Sequence, residues 1–121
     1  MGFTGVGWNF GIGGGGEVEV APEHTSDVVL TLSDFGKIHV LNSSSKITVT
    51  IPVLTSAFVN KFIWFKKKGT GAVDINMSGT DTCEGENDIE NTTTEQFAMI
   101  GLACDEVGKL SLYTTPLGSW Q

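Results

Sequence analysis

Histidine is almost missing from this chain: His24 and His39 are the only two. There is no HExxH, no paired-histidine spacing and no nucleophile elbow around any of the serines. The run Gly13-Gly14-Gly15-Gly16 lacks the following lysine and the strand-before, helix-after setting of a phosphate loop. An enzyme is therefore not expected, nor is any cofactor. Positive charge is scarce too. Seven basic residues face fourteen acidic ones, for a net charge of −7. That sign repels phosphate backbones and anionic lipid, so nucleic acid and membrane are excluded as partners. No apolar run approaches the ~20 residues of a membrane helix. The opening residues have neither a basic n-region nor an apolar h-region, so no signal peptide is expected. Val6 stands where a myristoylation motif needs Ser or Thr. The two cysteines, Cys83 and Cys104, are expected as reduced thiols made in a cytoplasm, with a disulfide between them as the alternative. Metal ligation by two isolated cysteines with no nearby histidine is disfavoured. The sequons at Asn42, Asn76 and Asn91 carry little meaning without a secretory route.

What remains is a chain of 121 residues, one domain's worth, with 40% hydrophobic and only 17% charged residues. Thr, Ser, Asn and Gly carry the polarity, and they suit strands and turns better than helices. Residues 1–16 form a separate glycine-rich zone holding Phe3, Trp8, Phe10 and Ile12. This zone reads as an arm that anchors on a neighbouring chain through those four side chains. From residue 17 to 121 the pattern has period two. Short strands are expected near 17–20, 28–32 and 38–41. Ile47-Thr48-Val49-Thr50-Ile51 is the clearest alternation, stopped by Pro52. Residues 53–60 can hold a helical turn. Segments 62–66 and 72–77 flank Gly69-Thr70-Gly71 and read as a hairpin. Lys66-Lys67-Lys68 reads as its solvated end, and His39 falls on the polar side of its strand. Residues 78–91 read as a polar loop. Strands at 96–104 and 109–113 close the chain. The expected fold is all-β: a compact antiparallel β-sandwich or small barrel of about eight short strands, with a glycine-rich N-terminal arm.

Two further features bear on function. Asp81, Glu84, Glu86, Asp88 and Glu90 form an acidic run whose oxygens suit a hard cation. The EF-hand spacing fails at Cys83, and a solvated loop is the plainer reading. Segments 62–65 and 97–103 are apolar on both faces, more than a domain of this size can cover alone. That favours an oligomer, with Phe62, Trp64, Phe97 and Trp120 as candidate subunit-interface residues.

The order of these segments resembles a β-module of bacteriophage tail-fibre, head-fibre and capsid-decoration proteins. Leu32-Ser33-Asp34-Phe35-Gly36-Lys37-Ile38 leads to a strand ending in Ile51-Pro52. The apolar strand 62–65, the turn 69–71 and the threonine-rich stretch Thr80-Asp81-Thr82-Cys83-Glu84-Gly85 follow. Segment 97–112 and Trp120 match the module's closing strand-turn-strand and late tryptophan. The likeness spans residues 24–121. It departs at Cys83, where the module has a bulky apolar residue, and at the turn Asp105-Glu106-Val107-Gly108. The resemblance implies a homotrimer at the virion surface with a major capsid or tail protein as partner. With an initiator methionine and little besides the module, a stand-alone capsid decoration or short spike is expected. The alternative is a fibre module that binds a host-surface glycan or receptor.

Overall fold

The computed structural model describes residues 19–121. The arm residues Phe3, Trp8, Phe10 and Ile12 lie outside this range. Among the described residues there are ten strands: β1 (Glu19–Val20), β2 (Val28–Val29), β3 (Lys37–Leu41), β4 (Ile47–Thr50), β5 (Phe62–Lys67), β6 (Val73–Asn76), β7 (Thr82–Cys83), β8 (Asp88–Asn91), β9 (Ala98–Glu106) and β10 (Lys109–Leu112). The protein is all-β. Among the described residues, short 3-10 turns lie between the strands at Leu32–Asp34 and Ser56–Phe58. The second is the turn expected within 53–60, and the Thr55 hydroxyl accepts from the Ala57 N–H.

The strands sort into two sheets, one in the order β1-β3-β5-β9-β10-β7 and the other β2-β4-β6-β8. Through its first six strands the chain alternates between the sheets, so each strand lies beside the one two places earlier. The resulting ladders are parallel: β1 with β3, β3 with β5, β2 with β4 and β4 with β6. β7 also runs parallel to β10. The antiparallel expectation therefore holds only where β8, β9 and β10 close the fold. A chain that coils from sheet to sheet returns each strand in the same sense, whereas a hairpin reverses it.

This path corrects the expected hairpin over 62–77. β5 and β6 lie in different sheets, and Gly69-Thr70-Gly71 is the crossing between them. The crossing stacks on the preceding one, at 42–45. The Gly71 N–H donates to the Ser43 carbonyl at 2.8 Å, and the Lys68 N–H to Leu41 at 2.9 Å. Side chains at Gly69 and Gly71 would land inside the backbone of Ser43 and Ser45. The glycines serve close approach here, not turning.

β9 and β10 do form a hairpin, with Gly108 at φ 79 in its turn and a register shift at Lys109/Leu110. The stretch 78–91 is more ordered than a polar loop. It holds β7, a tight turn with Glu84 and Gly85 at positive φ, and β8. Both β1 and β7, at the ends of the six-stranded sheet, are two residues long, which limits edge pairing. The last residue, Gln121, exchanges both backbone hydrogen bonds with Glu90 and covers the outer edge of β8.

One hydrophobic cluster joins the sheets. Leu41, Phe65, Ile100, Leu102 and Leu110 enter from the larger sheet, and Ile47, Val49, Val73, Ile75 and Ile89 from the smaller. Each such side chain contributes roughly 1.5–3 kcal/mol on burial. No helix among the described residues is long and apolar enough to cross a membrane.

Candidate functional site

With one core between two sheets, each sheet has an outer face, and the two differ sharply. On β5, Ile63 and Phe65 enter the core, so Phe62, Trp64 and Lys66 point the other way. Strand register extends this outer face into rows. One row runs Val20, Ile38, Trp64, Gly101, with the Tyr113 N–H bonded to the Gly101 carbonyl. The next runs Val40, Lys66, Met99, Leu117. Lys66 is the single charge in these two rows.

The aromatic rings make one packed group. Phe62 meets Trp64 edge-on at 4.7 Å and stacks on Tyr113 at 5.6 Å, while Trp64 and Tyr113 meet at 6.0 Å. The Trp64 indole lies across Gly101, where a Cβ would collide with it. Exposed apolar groups rim this patch: Val20, Phe97, Tyr113 and Leu117. Phe97 is the most telling. Its φ is 68°, a left-handed conformation that costs a bulky residue about 1–2 kcal/mol. Yet the residue is 54% exposed, with the Lys66 ammonium 5.6 Å from the ring centroid. Strain that displays an apolar ring to the outside points to a contact made there.

The other sheet is mostly polar outside. Thr48, Asp74 and Glu90 form one row and Thr50, Asn76 and Asp88 the next, with the exposed Val29 of β2 at the head of the second. Asp74, Asp88 and Glu90 place carboxylate oxygens within 4.8 Å of one another. Of the acidic run read from sequence, only Asp88 and Glu90 join this cluster, and β6 supplies Asp74. Asp81 and Glu84 serve the backbone, accepting from the Leu54 and Leu112 N–H groups. Burial pushes the Asp74 carboxyl up, aided by its hydrogen bond to Asp88 and by the neighbouring acidic charges, against the pull of Lys46. Lys46 at 3.6 Å and Asn76 are its partners. The oxygens suit a hard cation in type, but Asp74 already has Asp88, the Asn76 amide and the Lys46 ammonium as partners.

A proton held more tightly in the folded state stabilises at low pH. Stability from Asp74 is present below its ordinary value of 3.8 and declines as pH rises through the raised folded value. Asp74→Asn is expected to raise stability at pH 7 by about 0.2–1 kcal/mol, because like charges opposite one another in a ladder repel. It is also expected to weaken the gain on acidification. Thermal melts of both forms from pH 7 to pH 4 check this, and parallel pH profiles would contradict it.

Two interior groups, His39 and Lys67, correct the sequence reading, and both cysteines are buried too. His39 lies inside, fully buried against Phe65. Its Nε2–H donates to the Asp34 carbonyl at 2.7 Å, so its Nδ1 accepts from His24 Nε2–H at 3.0 Å. Burial holds its pKa below the ordinary value, and both ring nitrogens are committed to partners. Lys67 is fully buried as well. Its ammonium donates to the carbonyls of Thr93 at 2.9 Å, Glu95 at 2.5 Å and Gly69 at 3.4 Å. Cys83 and Cys104 both face Leu110, from the strands on either side of it. Two strand spacings, ~9.6 Å, separate them, beyond the ~7 Å a disulfide can span. Burial pushes the Cys83 thiol up to about 12 and raises Cys104 too. Both thiols are expected to resist a thiol-reactive dye in the native protein and to react fully in denaturant. Rapid native labelling of either would contradict their placement.

Of the candidate interface residues, Phe62 and Trp64 stand in the patch, and Phe97 stands beside it. Trp120 does not: it packs against the chain's own core, with its indole N–H on the Leu117 carbonyl. Tyr113 and Leu117 were missed, because the chain after β10 has no alternation to mark a face. No protein-family model and no curated protein matches this chain.

Proposed function

We propose that this protein is a structural component of a bacteriophage particle, a capsid decoration or short surface spike, acting without catalysis or cofactor. It sits on the virion surface as a homotrimer and attaches to a major capsid or tail protein through residues 1–16. The fold is read as a sandwich whose two outer faces do different work. What carries this reading is the contrast between them: an aromatic, nearly uncharged face with the strained Phe97 at its rim, and an acidic face opposite. The Phe97 end of the aromatic face, with Lys66, Met99 and Leu117, makes the subunit contact. The acidic face points to solvent, where its charge keeps densely displayed copies apart. The sequence resemblance to phage fibre and decoration modules supports the same assignment.

Particle occupancy tests it. Wild-type protein and the Trp8→Ala variant are added to particles lacking the protein, and bound copies are counted. Loss of attachment by a folded Trp8→Ala chain is expected. Equal occupancy of both forms, or no binding of wild type to any phage particle, would overturn the assignment.

A further inference from the structure

The two histidines of the chain meet each other. His39 lies on the inward side of β3, fully buried, with its ring tilted against Phe65 of β5. A carbonyl oxygen can only accept, so the bond to the Asp34 carbonyl fixes a hydrogen on His39 Nε2 and leaves Nδ1 as an acceptor. The half-buried His24 stacks on this ring, 5.2 Å between centroids, and fills that acceptor from its own Nε2. His24 belongs to the segment that closes the outer edge of β3. There the Ala21 and His24 N–H groups donate to the Ile38 and Val40 carbonyls, and the Asn42 N–H donates to the His24 carbonyl, each at 2.9 Å. β1 extends the same edge by its two residues.

We infer that the His24–His39 pair is an acid-sensitive latch: it holds residues 19–24 on the edge of the six-stranded sheet and releases them when His39 takes up a proton. The hydrogen-bond roles decide which proton matters. One added at His24 Nδ1 leaves the Nε2–H donor in place. One added at His39 Nδ1 removes the acceptor and sets two N–H groups against each other at 3.0 Å. The His39 ring is held by the Asp34 carbonyl and by Phe65, so His24 is the ring that swings away. Water then reaches the new charge, which the closed interior would leave unpaired.

The charges around the pair do not hold an imidazolium in place. His24 and Lys37 oppose it. Asp34 favours it, but the Asp34 carboxylate already accepts from the Thr31 N–H and hydroxyl. On β5, Phe65 offers only a ring, and Lys67, the next inward residue, spends its ammonium on three carbonyls. Beside His24, Glu23 is engaged by Lys68 at 2.8 Å and by the Asn42 amide. Burial, the largest effect, holds His39 below its ordinary 6.5. The latch is therefore fully closed above about 6.5 and weakens as pH falls from there through the lowered folded value. One proton is bound on opening, so each pH unit in that window raises the open population about tenfold. Glu23 acts in a lower window, because Lys68 first and Asn42 second hold its carboxyl below the ordinary 4.5. Opening bares the Ile38 and Val40 carbonyls and the Asn42 N–H, a sheet edge able to pair with another extended chain.

The latch does not rest on the virion role, and its test needs no particle. Ring nitrogen shifts and amide exchange of the full chain are followed together by nuclear magnetic resonance from pH 8 to pH 5. At pH 8 His39 is expected to carry its hydrogen on Nε2. As His39 takes up its second proton, the Ala21, His24 and Asn42 amides lose protection about tenfold per pH unit, after correction for intrinsic exchange. The β5 and β9 amides keep theirs. The loss persists in Glu23→Gln. In His39→Gln, whose amide can still donate to the Asp34 carbonyl, protection of the three amides no longer changes with pH. Wild-type protection that stays constant from pH 8 to pH 5 would overturn the inference. So would a loss that Glu23→Gln abolishes or that His39→Gln retains.

Discussion

Replacing Gly71 with alanine lowers folding stability by about 3 kcal/mol, at the upper end of the cost of overpacking. The methyl group would enter the space held by the backbone of Ser44 and Ser45. Backbone atoms cannot move aside as a flexible side-chain end does, and here they also carry the Ser43 carbonyl that accepts the Gly71 N–H. Relief requires the two stacked crossings to part, which strains β3, β4, β5 and β6 together. In a domain of this size 3 kcal/mol corresponds to a melting temperature lowered by roughly 10–20 °C. Gly79 supplies the comparison. It has φ 60, and a Cβ there meets nothing within 4 Å. Gly79→Asn is therefore expected to be nearly neutral, since Asn tolerates that conformation. Thermal unfolding of both variants decides the matter. Equal melting temperatures would mean that the crossings do not stack as described.

Lys67→Met is the second large effect, with an expected loss of about 3 kcal/mol. The methionine keeps the length and apolar stem of the side chain but donates nothing. Three carbonyls, of Gly69, Thr93 and Glu95, then lose their common donor inside the fold. Each abandoned buried acceptor costs about 1–3 kcal/mol. The damage spreads from there. Glu95 also ties the loop to its surroundings, accepting from the Asn91 amide and the Ser119 N–H, both at 2.6 Å. Those two bonds, the Ser119 one foremost, hold the Glu95 carboxyl below its ordinary pKa. Loss of the ammonium therefore loosens residues 91–96 and the C-terminal segment together. Faster amide exchange confined to those two stretches in Lys67→Met is the specific signature. Unchanged stability would show that water replaces the ammonium at no cost.

Much of the fold was legible as strands but not as neighbours. The alternation of Ile47, Val49 and Ile51, and of Val73 and Ile75, marks an inward face, and those residues do enter the core. Period two says which side chains share a face. It does not say which strand lies alongside. Sheet-to-sheet coiling leaves that local signal unchanged and replaces hairpin pairs by partners about twenty residues apart, such as Val28 with Val49. His39 and Lys67 show a different failure. Their parity with Leu41 and Phe65 already placed them inward, but polar side chains were assigned to solvent on chemistry alone. A polar group can occupy an inward position when a carbonyl or imidazole is there to receive it, and that partner comes from elsewhere in the chain. The carboxylate cluster was half visible for the same reason, since Asp74 reaches Asp88 and Glu90 only through the β6–β8 ladder. The aromatic face was the most legible part of the candidate site. A strand apolar on both sides announces a covered outer face, as Phe62 and Trp64 do. Its rim at Tyr113 and Leu117 follows from the return of the chain after β10 and has no local signature.

The most direct test of the account is the solution mass of the full chain by light scattering, for wild type and for Phe97→Asp. Phe97 is exposed and backbone-strained, so an aspartate there leaves the core intact and places a charge in the proposed subunit contact. The account predicts a trimer of the 12.9 kDa chain for wild type and dissociation of the folded variant. A single-chain mass for wild type across the working concentration range, or a trimer unaffected by Phe97→Asp, would contradict it.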